Sequence, residues 1–581
     1  MSATKVDRQQ TSASDSNSNN ASQRKYNKRN ASQAFDGNAK KSFMDQKATR
    51  KQRCAQKPHY AMVTRAKQLW NNLRERKIDK AKRSKLASDL YEVVKNNIYQ
   101  ISAKHDASRV IQGLFQHGTR EHRDQIVLEL KDHIIELAKT QYGSFLIKKM
   151  LKYGSDNDRA AIAKALTGQA IVVGTHNVAA SVLETAQEYL STSLFWKLKL
   201  EFYGKEFAYF PSDIKGRNLN GLLETYPDKK NAIIKHLGEI LSRMIDKELL
   251  SLVFVQALLW DYFSHAEYAD VVSIVPNVRD FSLALLATYK GACVVNRCLG
   301  FGTTKDRKRI LKCLKDKVLE ATNHPSGYLV LQRILDVVDD TVLVQKTILS
   351  ELNDHLFEVA MHSTGRKVLL QLLSPLNPKY LSPDEISLLA PPMIPNNDKA
   401  TDDSLIVNYK KDPVTKRETY LRGWLPKLHT MCCDHMQALM CSKHGRDVLI
   451  EVIKESEQQN TEDLEQLESA FEQTAKLEIA NDEQHTGPLY SHPIAHYTLR
   501  RVLKETSFVL SFLETSKSQL AEWAVANNRG AFVVLSCLEN EEHGKKAKKE
   551  LKKVLRASMP KLNEAALENA GSKILIEKLA N

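Results

Sequence analysis

The chain has 581 residues, 42% of them hydrophobic, enough apolar side chain for a large core but with no run of 18 or more apolar residues to cross a membrane. Its eight cysteines form no C-x-x-C pair and read as reduced thiols inside a cell; the N-terminus lacks the apolar core of a secretory signal. The formal charge of +16 is unevenly placed: residues 1–85 hold 22 Lys and Arg against 6 Asp and Glu, so residues 86–581, with 63 of each sign, sum to zero. Any pull on a polyanion comes from the N-terminal arm and from local patches.

Residues 1–60, rich in Ser, Asn, Gln, Ala and Lys, cannot offset their ordering entropy by burial and are expected to be a disordered basic arm. Residues 61–100 read as a basic helical lead-in. The clusters KATRKQR (Lys47–Arg53) and RERKIDKAKRSK (Arg74–Lys85) are either a solvated tail and helix face or a nuclear or nucleolar address that also touches phosphate. The large excess of base over acid favours the second.

Self-similarity begins after Leu86. In AKTQYGSFLIKKMLKYG, Gly143 opens a stripe at Leu146, Ile147 and Met150. Thirty-six residues earlier Ala107 precedes Val110, Ile111 and Leu114, and thirty-six later Ala179 precedes Val182, Leu183 and Ala186. The anchor continues at Gly216, Ser251, Gly291, Gly327, Gly365, Gly445, Ala495, Gly530 and Gly571, with the poorest stripes behind Gly216 (Asn220) and Ala495 (Thr498). A fixed interval of this size means a helical solenoid, here of eleven or twelve units: residues 101–373, then 426–581.

Two intervals are long. Residues 374–425 carry seven prolines and read as loop or extended chain; residues 455–485 are acidic with helical apolar spacing and read as a lengthened, solvated helix. Near the C-terminus, HGKKAKKELKKVLRASMPK packs through Leu551, Val554 and Leu555 and crowds Lys545, Lys546, Lys548, Lys549, Lys552 and Lys553 onto the remaining surface. Their mutual repulsion would be relieved by a polyanion.

The units G-S-F-L-I-K and A-S-R-V-I-Q resemble Pumilio (PUF) repeats over about residues 100–580. That resemblance implies an all-α right-handed solenoid whose inner helices meet bases with the residues one, two and five places after the anchor, the middle one by stacking. Ser108, Arg109 and Gln112 form a full trio. Ser144 and Phe145 follow, but Lys148 stands where an amide or carboxylate is needed. Later units offer Ala180/Ser181/Glu184, Ala292/Cys293/Asn296 and Tyr328/Leu329/Gln332, and then the last slot turns aliphatic at Leu370, Ile450, Leu535 and Ile576, which cannot bond a base edge. Positive charge persists instead at Arg217, Arg366, Arg446 and, when protonated, His496, joined by Lys367, Arg500 and Lys573; Tyr497 is a further RNA-binding candidate. Such groups suit phosphates, which position a strand without reading it.

Extra repeats, a degenerate code and a basic arm resemble the Puf-A/penguin subgroup. The resemblance implies an L-shaped array, a penguin-like region around 385–535, nucleolar location, RNA binding (pre-rRNA, with mRNA and DNA as alternatives) with little sequence preference, and a role in large ribosomal subunit maturation beside pre-ribosomal proteins. A monomer without cofactor is expected. The rival readings are a sequence-specific mRNA repressor and a protein–protein scaffold.

Catalytic chemistry has no comparable signal. GFGTTKD, from Gly300, lacks the spacing of a phosphate-cradling loop, and the His and Cys residues of HTMCCDHMQALMCSKHG (from His429) match no zinc spacing, so helix packing is the expectation there.

Overall fold

The computed structural model describes residues 59–75, 77–104, 107–209, 214–396, 404–459, 463–479 and 486–580. Residues 1–58 of the expected disordered arm, with the cluster Lys47–Arg53, lie outside them, and Tyr60 already opens a helix. Two compact units divide the chain, one ending at Ala165 and the other starting at Leu166. Both are helical; the described strands are Met393–Pro395 (β1) antiparallel to Leu405–Val407 (β2), and Glu478–Ile479 (β3) antiparallel to Gly487–Pro488 (β4).

A repeat is a short leading helix, an inner helix and an outer helix, as in Ile98–Ser102, Ser108–His117 and Arg120–Leu130. The inner helices of the first unit are α1 (Ser108–His117) and α2 (Gly143–Tyr153), packed side by side. Those of the second are α3 (Ala180–Tyr189), α4 (Val253–His265), α5 (Tyr289–Phe301), α6 (Gly327–Val337), α7 (Gly365–Leu373), α8 (Gly445–Gln459), α9 (Ala495–Glu505), α10 (Asn528–Leu538) and α11 (Ala570–Ala580), each packed on the next.

The anchor is small because the leading helix ends against it. A Cβ on Gly143 would lie 2.5 Å from the Leu137 carbonyl oxygen, and one on Gly291 would lie 2.0 Å from that of Leu285. The anchor's own N–H is taken by a side chain three residues earlier: Thr140 Oγ1 accepts from Gly143 at 3.0 Å, Thr288 Oγ1 from Gly291 at 2.9 Å, and Asn527 Oδ1 from Gly530 at 2.8 Å.

Gly216 is not such an anchor. It sits at φ +66° in an irregular stretch, and the helix after it, Leu219–Thr225, buries only Leu219, Gly221 and Leu222, too short a stripe to join the stack. Helix α3 instead meets α4 directly, Glu184 accepting from the Val253 and Phe254 N–H groups at 2.9 and 3.2 Å. The unit at Ala495, by contrast, is a full inner helix. Its polar intruder Thr498 is buried with Oγ1 donating to the Met440 carbonyl at 2.8 Å.

Arginines on outer helices tie neighbouring repeats. Arg123 donates to the Phe115 carbonyl at the end of α1 (3.0 Å) and to that of Tyr153 at the end of α2 (2.9 Å); Arg307 does the same for Leu299 of α5 (2.8 Å) and Val337 of α6 (2.9 Å).

The proline-rich insertion is more structured than its composition implies. It holds the helix Pro383–Leu389 and the β1–β2 hairpin, and from Pro413 it runs into the outer helix Pro413–Asp434. Pro383 and Pro413 each open a helix, where a missing N–H leaves no bond unmade. The acidic stretch is not one lengthened helix: α8 ends at Gln459, and the separate helix Leu464–Ala475 buries Leu467 and Phe471, the latter 5.8 Å from the Phe508 ring.

Candidate nucleic-acid interface

In the first unit, the exposed inner face is built on α1 and α2. Arg109 and Phe145 hold equivalent places one repeat apart and both are exposed, Phe145 at 50%. Lys148, one turn further along α2, lies with Nζ 4.9 Å over the Phe145 ring, and partial burial lowers its ammonium pKa below the ordinary value. A ring beside a cation offers a base a stacking surface and its phosphate a counter-charge. Arg74, Lys77, Lys80, Lys82 and Lys85 of the lead-in are exposed in the same unit.

The edge-reading groups are otherwise engaged. Ser108 is fully buried, its hydroxyl donating to the Tyr142 carbonyl at 3.0 Å and accepting the Gln112 amide at 2.9 Å. Ser144 is buried too and donates to the Gln141 carbonyl at 3.0 Å. The expected base contacts of Ser108 and Ser144 are therefore corrected to internal bonds, each hydroxyl sitting below the surface where the nearest acceptor is backbone, while Gln112 is half-buried with its amide nitrogen turned to Ser108.

In the second unit the first-contact charges do not form a row. Arg217 lies in the bend before Leu219–Thr225, off the inner helices. Arg366 pairs with Asp447, which also takes Arg501 at 2.7 Å and has Arg446 at 3.8 Å. Lys367 pairs with Glu385 at 2.6 Å. His496 is buried, with a ring nitrogen 2.8 Å from the His492 carbonyl; burial, with Arg529 and Arg500 nearby, lowers its pKa, so it is neutral at neutral pH. The signal for most of this was present in the sequence as an acid, Asp447, one place after Arg446, and Glu385 inside the insertion.

What remains open is the inner face of α9 and α10. Tyr497 is 50% exposed, and the Arg500 guanidinium lies 4.9 Å over the Phe532 ring and 6.0 Å over that of Tyr497, with Nε 3.3 Å from Ser536 Oγ. Arg529 is exposed beside them in chain order. The lysine-rich segment is the outer helix Gly544–Leu555, seated through Ala547, Leu551 and Leu555. Lys545, Lys546 and Lys549 are exposed and Lys548 is half-buried, all on the layer opposite Tyr497 and Arg500.

None of the seven described cysteines is in a disulfide, and burial pushes the Cys293 thiol up to about 11. His429 bonds Ser456 and His435 stacks on Phe357 at 4.0 Å; among the described residues no group of three His, Cys, Asp or Glu is placed to hold a metal. No described helix is long and apolar enough to cross a membrane.

Residues 97–131, 133–167, 291–314 and 317–351 match the Pumilio-family RNA binding repeat, and residues 361–511 match the CPL (NUC119) domain. The chain is 30% identical over 542 residues to Pumilio homolog 3 of Rattus norvegicus, covering 90% of this chain and 80% of that protein. It is 30% identical over 550 residues to Pumilio homolog 3 of Danio rerio, covering 91% and 83%. The crystal structure of human Puf-A is similar with a TM-score of 0.76 at 29% identity, covering 90% of this chain and 99% of that one, and the structure of human Puf-A in complex with DNA gives 0.75 over 90% and 100%. Repeats, domain match and relatives agree on one conclusion: the chain belongs to the Puf-A (Pumilio homolog 3) family of Pumilio-repeat proteins.

Proposed function

We propose that the protein is a nucleolar RNA-binding factor in rRNA processing and large ribosomal subunit assembly, holding pre-rRNA mainly by its phosphates with little sequence preference. The observation that carries this reading is the division of labour on the inner helices. Ser108, Gln112 and Ser144, the groups fit to read base edges, bond within the protein, while the rings of Phe145 and Tyr497 stay exposed beside the half-buried cations Lys148 and Arg500. Stacking rings tolerate any base, and cations bind any backbone. The relative human Puf-A crystallised with DNA supports a surface that does not require the 2′-hydroxyl. Pre-ribosomal proteins are its expected neighbours and the free protein is a monomer.

Competition between one RNA and unrelated RNAs tests the claim. Affinities within a few-fold of one another, falling steeply with salt at roughly 0.7 per phosphate contact in a log–log plot, are expected. A preference of about 10³ or more for one sequence would favour the mRNA repressor instead. Crosslinking in cells should capture pre-rRNA.

A further inference from the structure

The inner face of α5, α6 and α7 is covered by the chain's own insertion. After α7 the chain doubles back, and the helix Pro383–Leu389 packs on α5 and α6 over the slots that hold Tyr328 and Lys367. Glu385, 6% exposed, accepts from the Tyr328 hydroxyl and from Lys367 Nζ, which lies 5.0 Å over the Tyr328 ring. At the other end of this helix Arg333 of α6 donates to the carbonyls of Leu388, Leu389 and Ala390, the last at 2.9 Å. The strap then crosses α5: a Cβ on Gly300 would lie 3.0 Å from Pro392, and Asn408 donates to the Gly300 carbonyl at 2.8 Å. A cleft of about 550 Å³ stays open between α5 and the strap, lined by Tyr289 and Arg297.

The strap presents what an RNA strand would present. A carboxylate meets a lysine and a tyrosine hydroxyl, and a row of carbonyl oxygens meets a guanidinium, so along the helix Pro383–Leu389 anion and acceptors face cation and donors; further on, at Asn408, the strap donates instead. Without it, the same face would show two aromatic rings, Tyr289 and Tyr328, among three cations, Arg297, Arg333 and Lys367. That is the make-up of a single-strand stacking platform.

We infer that the insertion stands in for nucleic acid on α5 to α7, so that RNA binds the exposed inner faces of α1–α2 and α9–α10 while the surface beneath the strap is a latent site for single-stranded RNA. This rests on the RNA-binding function proposed above.

Photocrosslinking of the full chain to oligouridine RNA, with the modified residues mapped, tests it. The wild-type chain should crosslink at Phe145 and Tyr497 and not at Tyr328; a wild-type crosslink at Tyr328 overturns the inference. Glu385→Lys sets a like charge against Lys367, and hydrogen exchange over residues 383–390 reports whether the strap lifts. With the strap lifted, crosslinks at Tyr328 should appear and affinity should rise about tenfold, the gain of one stacked base with its phosphate. A lifted strap with neither change overturns the inference. If Glu385→Lys leaves the strap down or prevents folding, the wild-type map decides alone. A wild-type chain that binds no oligouridine refutes the proposed function, an outcome distinct from binding at the wrong place.

Discussion

At Asp447, Arg366 from α7 and Arg501 from α9 converge on one carboxylate, with Arg446 3.8 Å away. Residue type alone gives Arg366 and Arg446 to phosphate; the packing of α7 and α9 on α8 is what brings Arg366 and Arg501 onto Asp447. A phosphate competing for Arg366 would have to draw it away from a mostly buried carboxylate that Arg501 holds as well, so the guanidinium is not free for a strand. Phe145 has no such rival. Phe145→Ala should therefore weaken RNA binding about tenfold, a loss within the usual range for one stacked base, whereas Gln112→Ala should change it less than about twofold because its amide already bonds Ser108. Titration of labelled RNA reads both; equal losses would restore base-edge reading at α1. Glu505 of α9 gives a stability test with a defined sign. Burial raises its carboxyl pKa, but Lys454 at 2.7 Å and Arg501 at 3.1 Å outweigh burial and hold it at about 2. A depressed carboxyl contributes stability above its unfolded pKa of about 4.3 and loses it as pH falls towards the folded value. The wild type should exceed Glu505→Gln by about 2–3 kcal/mol at pH 7, and the gap should close between about pH 4 and pH 2 in urea melts of the two proteins.

At the scale of helices, the stripe after each anchor was legible because the inner helices repeat one packing problem, a 3.6-residue face pressed between two neighbours. Val330 and Leu331, or Val533 and Val534, are fully buried where the spacing places them. What the spacing could not give was layer. The helix Gly544–Leu555 and the helix Asn528–Leu538 are both amphipathic, yet one lies outside and one inside, and only the contacts of Leu551 and Leu555 decide which. The insertion departs from its composition for a different reason: proline weighs against a helix interior, but Pro383 and Pro413 occupy first positions. The lysines of Gly544–Leu555 carry one intrahelical ion pair, Lys553 with Glu550 at 2.9 Å. Replacing Lys545, Lys546, Lys548 and Lys549 together by Gln should weaken RNA binding more than Arg109→Ala and lower the salt slope, while leaving thermal stability unchanged or slightly higher as like charges are removed. An unchanged salt slope would assign this outer helix to a partner other than RNA.

For the whole molecule, the balance of charge sets how far the repeats alone can hold RNA. Residues 1–58 carry 13 Lys and Arg against 4 Asp and Glu, more than half of the net +16. Most of the remaining basic N-terminal excess lies on two helices, Tyr60–Leu73 and Lys80–Val94, which pack on α1; Trp70 occupies the space a side chain at Gly113 would need. A truncation at residue 85 would strip that cover from α1 and confuse lost charge with lost structure, so the informative cut falls after residue 58. Removing residues 1–58 should leave the melting temperature unchanged, weaken RNA binding with a shallower salt slope, and disperse a fluorescently tagged protein from the nucleolus. Full affinity and nucleolar retention after that cut would place the whole attraction on the folded repeats, where Lys148 and Arg500 beside their rings would then have to account for it.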